Sequence, residues 1–301
     1  QGYFKSTKNK YLINFFSSRL SIIDLKKSSN MPFKYKNLTL VYNGEIYNYI
    51  ELRNYLKSKK YTFQTNSDTE VLIKSFDYWG KDCVNHFEGM WAFSIFDSQK
   101  DQLFLSRDPF GEKPLYYYLD DSNFLFGSEI KFIFALKKDE SLKKINSKYI
   151  QNYLGYGYKI LNKSSETFFN KIKKFESGTN LIINLNSNSY KKEKYFNIKK
   201  EFTVKKTNEK DKVNKVIELL EQSLKLRLRS DVPIAFCLSG GIDSGSLVSL
   251  AKKKFNLDPK CYSIIDKDKR YNEEKNIDYL KKKLNLNVKK IFIDKEKNFL
   301  S

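Results

Sequence analysis

The string Leu238-Ser239-Gly240-Gly241-Ile242-Asp243-Ser244 stands between an apolar run, Ile234 to Leu238, and a helix-forming stretch, Gly245 to Phe255. Two adjacent glycines let a backbone come close to phosphate oxygens, and a helix N-terminus offers unpaired N–H groups with a partial positive charge. Ser239 and Ser244 add hydroxyl donors, so the string has the chemistry of an anion cradle. Asp243 would repel a bare phosphate but suits a polyphosphate carrying Mg2+, because hard cations take carboxylate and phosphate oxygens together. A Gly-Gly pair alone would be an ordinary turn, and the string is neither the Walker loop nor the dinucleotide fingerprint.

In full, the string resembles the S-G-G-x-D-S pyrophosphate loop of ATP pyrophosphatases, which split ATP into AMP and pyrophosphate to activate a carboxylate or carbonyl. GMP, NAD and argininosuccinate synthetases and tRNA-modifying enzymes share that loop. The lead-in Arg227-Leu228-Arg229-Ser230-Asp231-Val232-Pro233 resembles that of asparagine synthetases. The resemblance implies ATP as a substrate with Mg2+, held by Ser239, Gly240, Gly241, Asp243 and Ser244, with backbone contacts to adenosine at Leu238 and Ile264. As a residue of a parallel strand, Ile264 is also expected in the core.

An enzyme that makes an amide needs ammonia, and the first half offers a source. Arg19-Leu20-Ser21-Ile22-Ile23-Asp24, Asn43-Gly44-Glu45-Ile46-Tyr47-Asn48 and Ser67-Asp68-Thr69-Glu70 occur in that order. Gly89-Met90-Trp91-Ala92-Phe93, Arg107 to Tyr117 (RDPFGEKPLYY) and Gly127-Ser128-Glu129-Ile130-Lys131 follow. Together these resemble the ordered motifs of class II glutamine amidotransferases, over nearly the whole chain. Free glutamine carries an α-carboxylate and an α-ammonium, which call for a guanidinium and a carboxylate, and Arg19 and Asp68 fit those roles. Leu20, Ser21, Ile22 and Ile23 would line the substrate, and Glu45 would orient it. The Asn43 amide and the Gly44 N–H could stabilise the oxyanion, worth roughly 3 to 4 kcal/mol per donor in comparable sites. Singly, Arg19 could be a surface ion pair, Asn43-Gly44 a hairpin turn and Asp68 a helix-start charge.

Class II enzymes attack with the thiol of an N-terminal Cys activated by its own α-amine. The sequence opens on Gln1, and Cys83 has no free α-amine. The chain is therefore expected to be an internal fragment, with the nucleophile upstream and the aspartate-binding and acidic metal-binding segments beyond Ser301.

These groups need elements to hold them. In the first half, Leu38 to Tyr42 is a mostly apolar run ending at the turn-prone Asn43-Gly44, and Tyr49 to Lys57 repeats apolar residues at helical spacing. Ser67 with Glu70 reads as a capping box opening a helix from Asp68 to Trp79. Met90 to Phe96, Gln102 to Ser106, Pro114 to Tyr118 and Asn123 to Gly127 read as strands joined by short turns. The fold expected is α+β, layered antiparallel sheets with outer helices, over 1–200. The lysine-rich stretch from Ser187 to Lys200 and on from Thr203 to Lys212 reads as linker. Strand and helix then alternate: helix Val213 to Leu228, strand Ile234 to Leu238, helix Gly245 to Phe255, strand Cys261 to Ile265, helix Asn272 to Leu284 and strand Val288 to Ile293. That alternation marks an α/β parallel-sheet domain over 201–301, which the resemblance makes like an adenine nucleotide α-hydrolase.

Composition narrows the class. Among 301 residues, 40% are hydrophobic and 16% aromatic, enough for two packed cores. The net charge of +21 is scattered singly and in short clusters such as Lys252 to Lys254, which reads as solvated surface and leaves nucleic acid unexpected. Cys83, Cys237 and Cys261 read as reduced core residues, and His86 as part of a helix end or turn. No apolar run has a membrane-spanning length and no signal peptide opens the sequence, so a cytoplasmic protein with no membrane partner is expected. The expected partners are glutamine, aspartate and ATP, with a homodimer allowed. Two alternatives stay open: an amidotransferase for another carboxylate, such as a sugar uronic acid or a β-lactam precursor, and a non-catalytic relative that binds glutamine or ATP.

Overall fold

The structure, a computed structural model, describes residues 1–8, 10–161, 164–198, 208–268 and 270–293. Two compact units divide the chain, Gln1–Thr203 and Val204–Ser301.

In the first unit β1 (Gly2–Lys8) and β2 (Tyr11–Ser17) form an antiparallel hairpin. After β3 (Phe33–Tyr35) and β4 (Leu38–Ile46) come α1 (Tyr49–Ser58) and α2 (Asp68–Trp79), then β5 (Gly89–Asp97) and β6 (Gln102–Arg107). β7 (Tyr116–Leu119) and β8 (Phe124–Gly127) precede α3 (Ile130–Leu136) and α4 (Ser147–Tyr156), and β9 (Lys173–Lys174), β10 (Thr179–Asn184) and β11 (Ser189–Lys194) close the unit. A six-stranded antiparallel sheet runs β11-β10-β6-β5-β4-β3, and a three-stranded antiparallel sheet runs β8-β7-β9.

Strand alternation explains the layering. Trp91, Phe93 and Ile95 of β5 pack with Val71, Leu72 and Ile73 of α2 on one face. Ala92 and Phe96 point the other way, against Phe15 of the hairpin, Leu115 and Phe175. Beyond the smaller sheet, Ile133 of α3 packs on Tyr118 and Ile172. The result is helix, sheet, sheet, helix, the expected layered antiparallel arrangement with outer helices. Each fully buried Leu, Ile or Phe contributes about 1.5–3 kcal/mol, and β5 is buried on both faces, which is why Trp91 to Phe96 is almost continuously apolar.

Three local expectations change. Asn43-Gly44 does not turn: β4 pairs with β5 through Asn43↔Ala92 and Gly44↔Trp91 as far as Ile46↔Gly89. Ladder pairing outweighs turn preference there, and Gly44 serves close approach, since a Cβ would lie 2.1 Å from the Met90 carbonyl oxygen. The capping box is half formed: Ser67 Oγ accepts the Glu70 N–H at 3.2 Å, but Glu70 turns to Gln64, Thr65 and Lys74. Within the expected linker, Ser189–Lys194 is an edge strand whose charged side chains carry no apolar signal. Of the rest of that linker, 199–200 and 203–207 lie outside the described residues, and Glu209 to Lys212 form the first turn of a helix instead.

The second unit carries α5 (Glu209–Arg227), β12 (Ala235–Cys237), α6 (Ile242–Lys253), β13 (Lys260–Asp266), α7 (Glu274–Leu284) and β14 (Asn287–Ile293). Its sheet is parallel, in the order β12-β13-β14. Cys261 and Ile265 pack with Val248 of α6 and Ile277 of α7. Alternation turns Tyr262 and Ile264 to the other face, where Ile264 is 67% exposed beside its register partner Ile291. The expectation that Ile264 is a core residue is thus corrected, because among the described residues only one face of this sheet is covered. Cys237, expected in the core, pairs with Tyr262 and is exposed on that same side, whereas Cys83 and Cys261 are buried. No helix among the described residues is long and apolar enough to cross a membrane.

Candidate functional site

In the first unit Arg19 follows β2 on a loop that folds back on its own side chain. One guanidinium nitrogen, Nη2, donates to the carbonyls of Ile23 (2.5 Å) and Asp24 (2.8 Å). The other, Nη1, is buried without a hydrogen-bond partner. Asp24 sits at φ 57°, and its carboxylate accepts from Lys26 N, Ser29 Oγ and Asn66 N. Burial pushes the Asp24 carboxyl up, but the bonds from Ser29, Asn66 and Lys26 outweigh it and hold it low. The Asn66 bond ties the Arg19 loop to the segment that leads into α2.

At the start of α2, Asp68 is 3% exposed, and its Oδ2 accepts Tyr42 Oη (3.0 Å) and the Ile46 N–H (3.0 Å). Burial raises its pKa against those bonds. Glu45, on β4 and also buried, has no hydrogen-bond partner at Oε2. Burial first, and then the Asp68 charge, push Glu45 up to about 8, against the pull of Lys113 and Arg19. Two carboxylates in one desolvated pocket compete for protons, and a ligand cation would relieve both. A buried polar atom without a partner costs about 1–3 kcal/mol, so Arg19 Nη1 and Glu45 Oε2 together suit a small ligand with an anionic and a cationic group.

Around this pair, Leu20 is 85% exposed, Ser21 and Ile22 are half-buried, and Ile23 is buried. Asn43 and Gly44 precede Glu45 on β4, and Asn43 Nδ2 donates to Ser128 Oγ at 3.2 Å. The long RDPFGEKPLYY motif is largely scaffold. The buried Asp108 carboxylate accepts four backbone N–H groups, from Trp91, Phe110, Glu112 and Lys113. The Arg107 guanidinium donates to the carbonyls of Lys113, Phe175 and Gly111. This clamp fixes the loop that brings the Lys113 charge toward Glu45.

In the second unit the glycine loop links β12 to α6. The helix begins at Ile242, earlier than expected, with Gly241 as N-cap, so Asp243 and Ser244 lie in its first turn. Ser244 Oγ accepts the Ser239 N–H (3.2 Å) and lies 3.0 Å from Ser239 Oγ, which accepts the Gly241 N–H (3.3 Å). Gly240 has φ 84°, and a Cβ there would meet Glu273 O at 3.1 Å. Leu238 is buried, its N–H bonded to Tyr262 O and its carbonyl to Ser263 Oγ. Ser239, Gly240, Gly241, Asp243 and Ser244 therefore come together, while Ile264 stands on the open sheet face. A groove of about 460 Å³ opens beside the loop, lined by Gly240, Gly241, Ser249, Asn276 and Tyr279 among others. Among the described residues no three His, Cys, Asp or Glu side chains gather as a metal site. A lone Asp243 thus fits a cation only together with oxygens of a bound polyphosphate.

Tyr42, Lys113 and Ser128 carry contacts to these groups that their sequence positions did not announce. Lys113 and Ser128 had one signal, their places in ordered motifs, and Tyr42 had none.

A family model described as a glutamine amidotransferase domain matches residues 2–196. One described as asparagine synthase matches residues 215–299. A Methanocaldococcus jannaschii protein, named provisionally as glutamine-hydrolyzing asparagine synthetase 2, is 35% identical over 272 residues, covering 84% of this chain and 51% of that protein. Glutamine-hydrolyzing asparagine synthetase 1 of Bacillus subtilis is 36% identical over 254 residues, covering 84% and 38%. Amidase chry2 of Gibberella zeae is 31% identical over 238 residues, covering 77% and 34%. The chain thus spans about half the length, or less, of these curated relatives.

Proposed function

The chain belongs to the asparagine-synthetase-like glutamine amidotransferases, and from that membership we propose that it hydrolyses glutamine in its first unit and adenylates a carboxylate with ATP in its second. The carboxylate is the β-carboxylate of aspartate, and the products are asparagine, glutamate, AMP and pyrophosphate.

The observation that carries this is the opposed pair of unpartnered buried atoms, Arg19 Nη1 and Glu45 Oε2. Arg19 takes the α-carboxylate of glutamine, and Asp68, with Glu45 beside it, takes the α-ammonium. Substrate is thereby held with its side-chain amide toward Asn43 and Gly44, whose N–H groups receive the oxyanion formed on attack. Cys83 does not supply the attacking thiol: it is buried, and burial pushes its thiol well up, away from the thiolate form.

In the second unit the Ser239–Ser244 loop holds the ATP phosphates on the N-terminus of α6, and the backbone at Leu238 and Ile264 flanks adenosine, in a domain like the adenine nucleotide α-hydrolases. Asp243 would share Mg2+ carried by the nucleotide with its phosphate oxygens, and the ion would offset the Asp243 charge. Adenylation converts a poor electrophile into one that ammonia attacks, so the proposed intermediate is β-aspartyl-AMP. All substrates are small polar solutes, in keeping with a cytoplasmic setting. A second reading keeps the same chemistry with another carboxylate as acceptor, since one relative, an amidase, is not named for asparagine.

Glutamate formation from glutamine by the protein expressed from its complete gene tests the first half. Arg19→Ala and Asp68→Asn should raise the glutamine KM at least tenfold. Unchanged KM in both would remove the pocket from the reaction.

A further inference from the structure

We infer that Ser128 is the positioning residue for the Asn43 carboxamide, fixing the direction in which the oxyanion donor points. This rests on the glutaminase proposed above and adds a residue to it.

The two residues come from different sheets. Asn43 lies on β4 of the six-stranded sheet, and Ser128 on the junction between β8 and α3, beside the three-stranded sheet. Across 85 positions of sequence, Asn43 Nδ2 donates to Ser128 Oγ at 3.2 Å. Among the described residues it is the one side-chain hydrogen bond Asn43 makes.

A primary amide has two N–H donors. Ser128 occupies one, so the second is held at a fixed angle to it and stays available to a developing oxyanion. Without that partner the terminal torsion of Asn is broad and roughly two-fold, and the amide would present its oxygen to the oxyanion part of the time. A stabilising donor acts only when it is placed in advance, 2.7–3.1 Å from where the charge develops.

Ser128 is itself firmly held. The residue before it, Gly127, pairs with Tyr116 in the β7–β8 ladder. The residue after it, Glu129, caps α3 from an extended conformation (φ −135°), and its carbonyl accepts the Phe132 N–H at 3.1 Å. Ile133, fully buried at 0% exposure, anchors that helix against Tyr118 and Ile172. This assigns a task to the Gly127-Ser128-Glu129-Ile130-Lys131 motif that its sequence alone left open.

The test is steady-state glutamine hydrolysis by the protein from its complete gene, comparing Ser128→Ala, Ser128→Thr, Asn43→Ala and the double variant Asn43→Ala/Ser128→Ala. Ser128→Ala should lower kcat about tenfold, less than the roughly hundredfold or greater loss of an oxyanion donor outright, with the glutamine KM within about twofold. Ser128→Thr, which keeps the hydroxyl, should recover most of kcat. In the Asn43→Ala background, Ser128→Ala should cost nothing further, a non-additivity that general destabilisation would not produce. An unaltered kcat in Ser128→Ala, or the same loss in both backgrounds, would overturn the positioning role while leaving the glutaminase intact. Absence of glutamine hydrolysis in the wild type would overturn both.

Discussion

The Tyr42 hydroxyl donates to the buried Asp68 carboxylate at 3.0 Å, locking β4 to the first residue of α2 beneath the proposed α-ammonium pocket. Tyr42→Phe removes a donor and leaves Asp68 with the Ile46 N–H on the same oxygen. It should raise the glutamine KM several-fold and cost about 1–3 kcal/mol in urea unfolding, the range for a buried group that loses its partner. Unchanged values of both would show that the bond holds nothing in place.

Glu45 gives the free protein a pH dependence of definite sign. In the folded chain its carboxyl is pushed up to about 8, against an ordinary value of 4.5. Between those values the folded state binds a proton that the unfolded state has released, so stability contributed by protonated Glu45 is full below about pH 4.5 and is lost as pH rises through about 8. Thermal unfolding should show this decline, Glu45→Gln should flatten it, and saturating glutamine should reduce it by supplying an ammonium. A decline equal in wild type and Glu45→Gln would assign it to other groups.

Glu70 and Lys74 form an ion pair at 2.6 Å with side chains only 3% and 4% exposed. Lys74 also donates to the Thr62 carbonyl, and Glu70 accepts the Gln64 and Thr65 N–H groups. The pair therefore sets the loop that delivers Asp68. Lys74→Met should destabilise by about 3–5 kcal/mol, because Glu70 is left as an uncompensated buried charge. Replacing both with apolar residues should recover much of that loss. Urea unfolding of the single and double variants checks it, and a loss in the double variant as large as in the single one would refute it.

Gly240 combines φ 84° with a neighbouring Glu273 carbonyl 3.1 Å from any added Cβ. Gly240→Ala should weaken MgATP binding by about 1–3 kcal/mol, the usual cost of a strained backbone position. Ser244→Ala removes the acceptor of the Ser239 N–H and should weaken it less. Calorimetric titration with MgATP reads both, and undiminished affinity in Gly240→Ala would move the phosphates away from this loop.

What the sequence disclosed follows from the range of the interactions involved. The start of α2 at Asp68 was legible because a Ser67 cap with Glu70 three residues later is a local signal. The strand through Asn43-Gly44 was not, because β5, over 40 residues later, overrides a local turn preference. The edge strand Ser189–Lys194 hid behind its lysines, and Ile264 looked like core because one strand does not reveal which face is covered. Arg19, Glu45, Asp68 and the glycine loop were nominated by ordered motifs and the families they resemble, since each residue type taken singly also fits an ordinary structural role. Tyr42 and Ser128 depend on contacts across 26 and 85 positions, which no local pattern encodes.

The most direct test of the proposed two-step reaction is aspartate-dependent pyrophosphate release from MgATP by the protein of the complete gene, with glutamine or ammonium as nitrogen donor. Release with both donors, and loss of the glutamine-supported rate alone in Arg19→Ala, is the predicted result. No aspartate-dependent release with either donor would contradict asparagine synthesis and direct the search to another carboxylate.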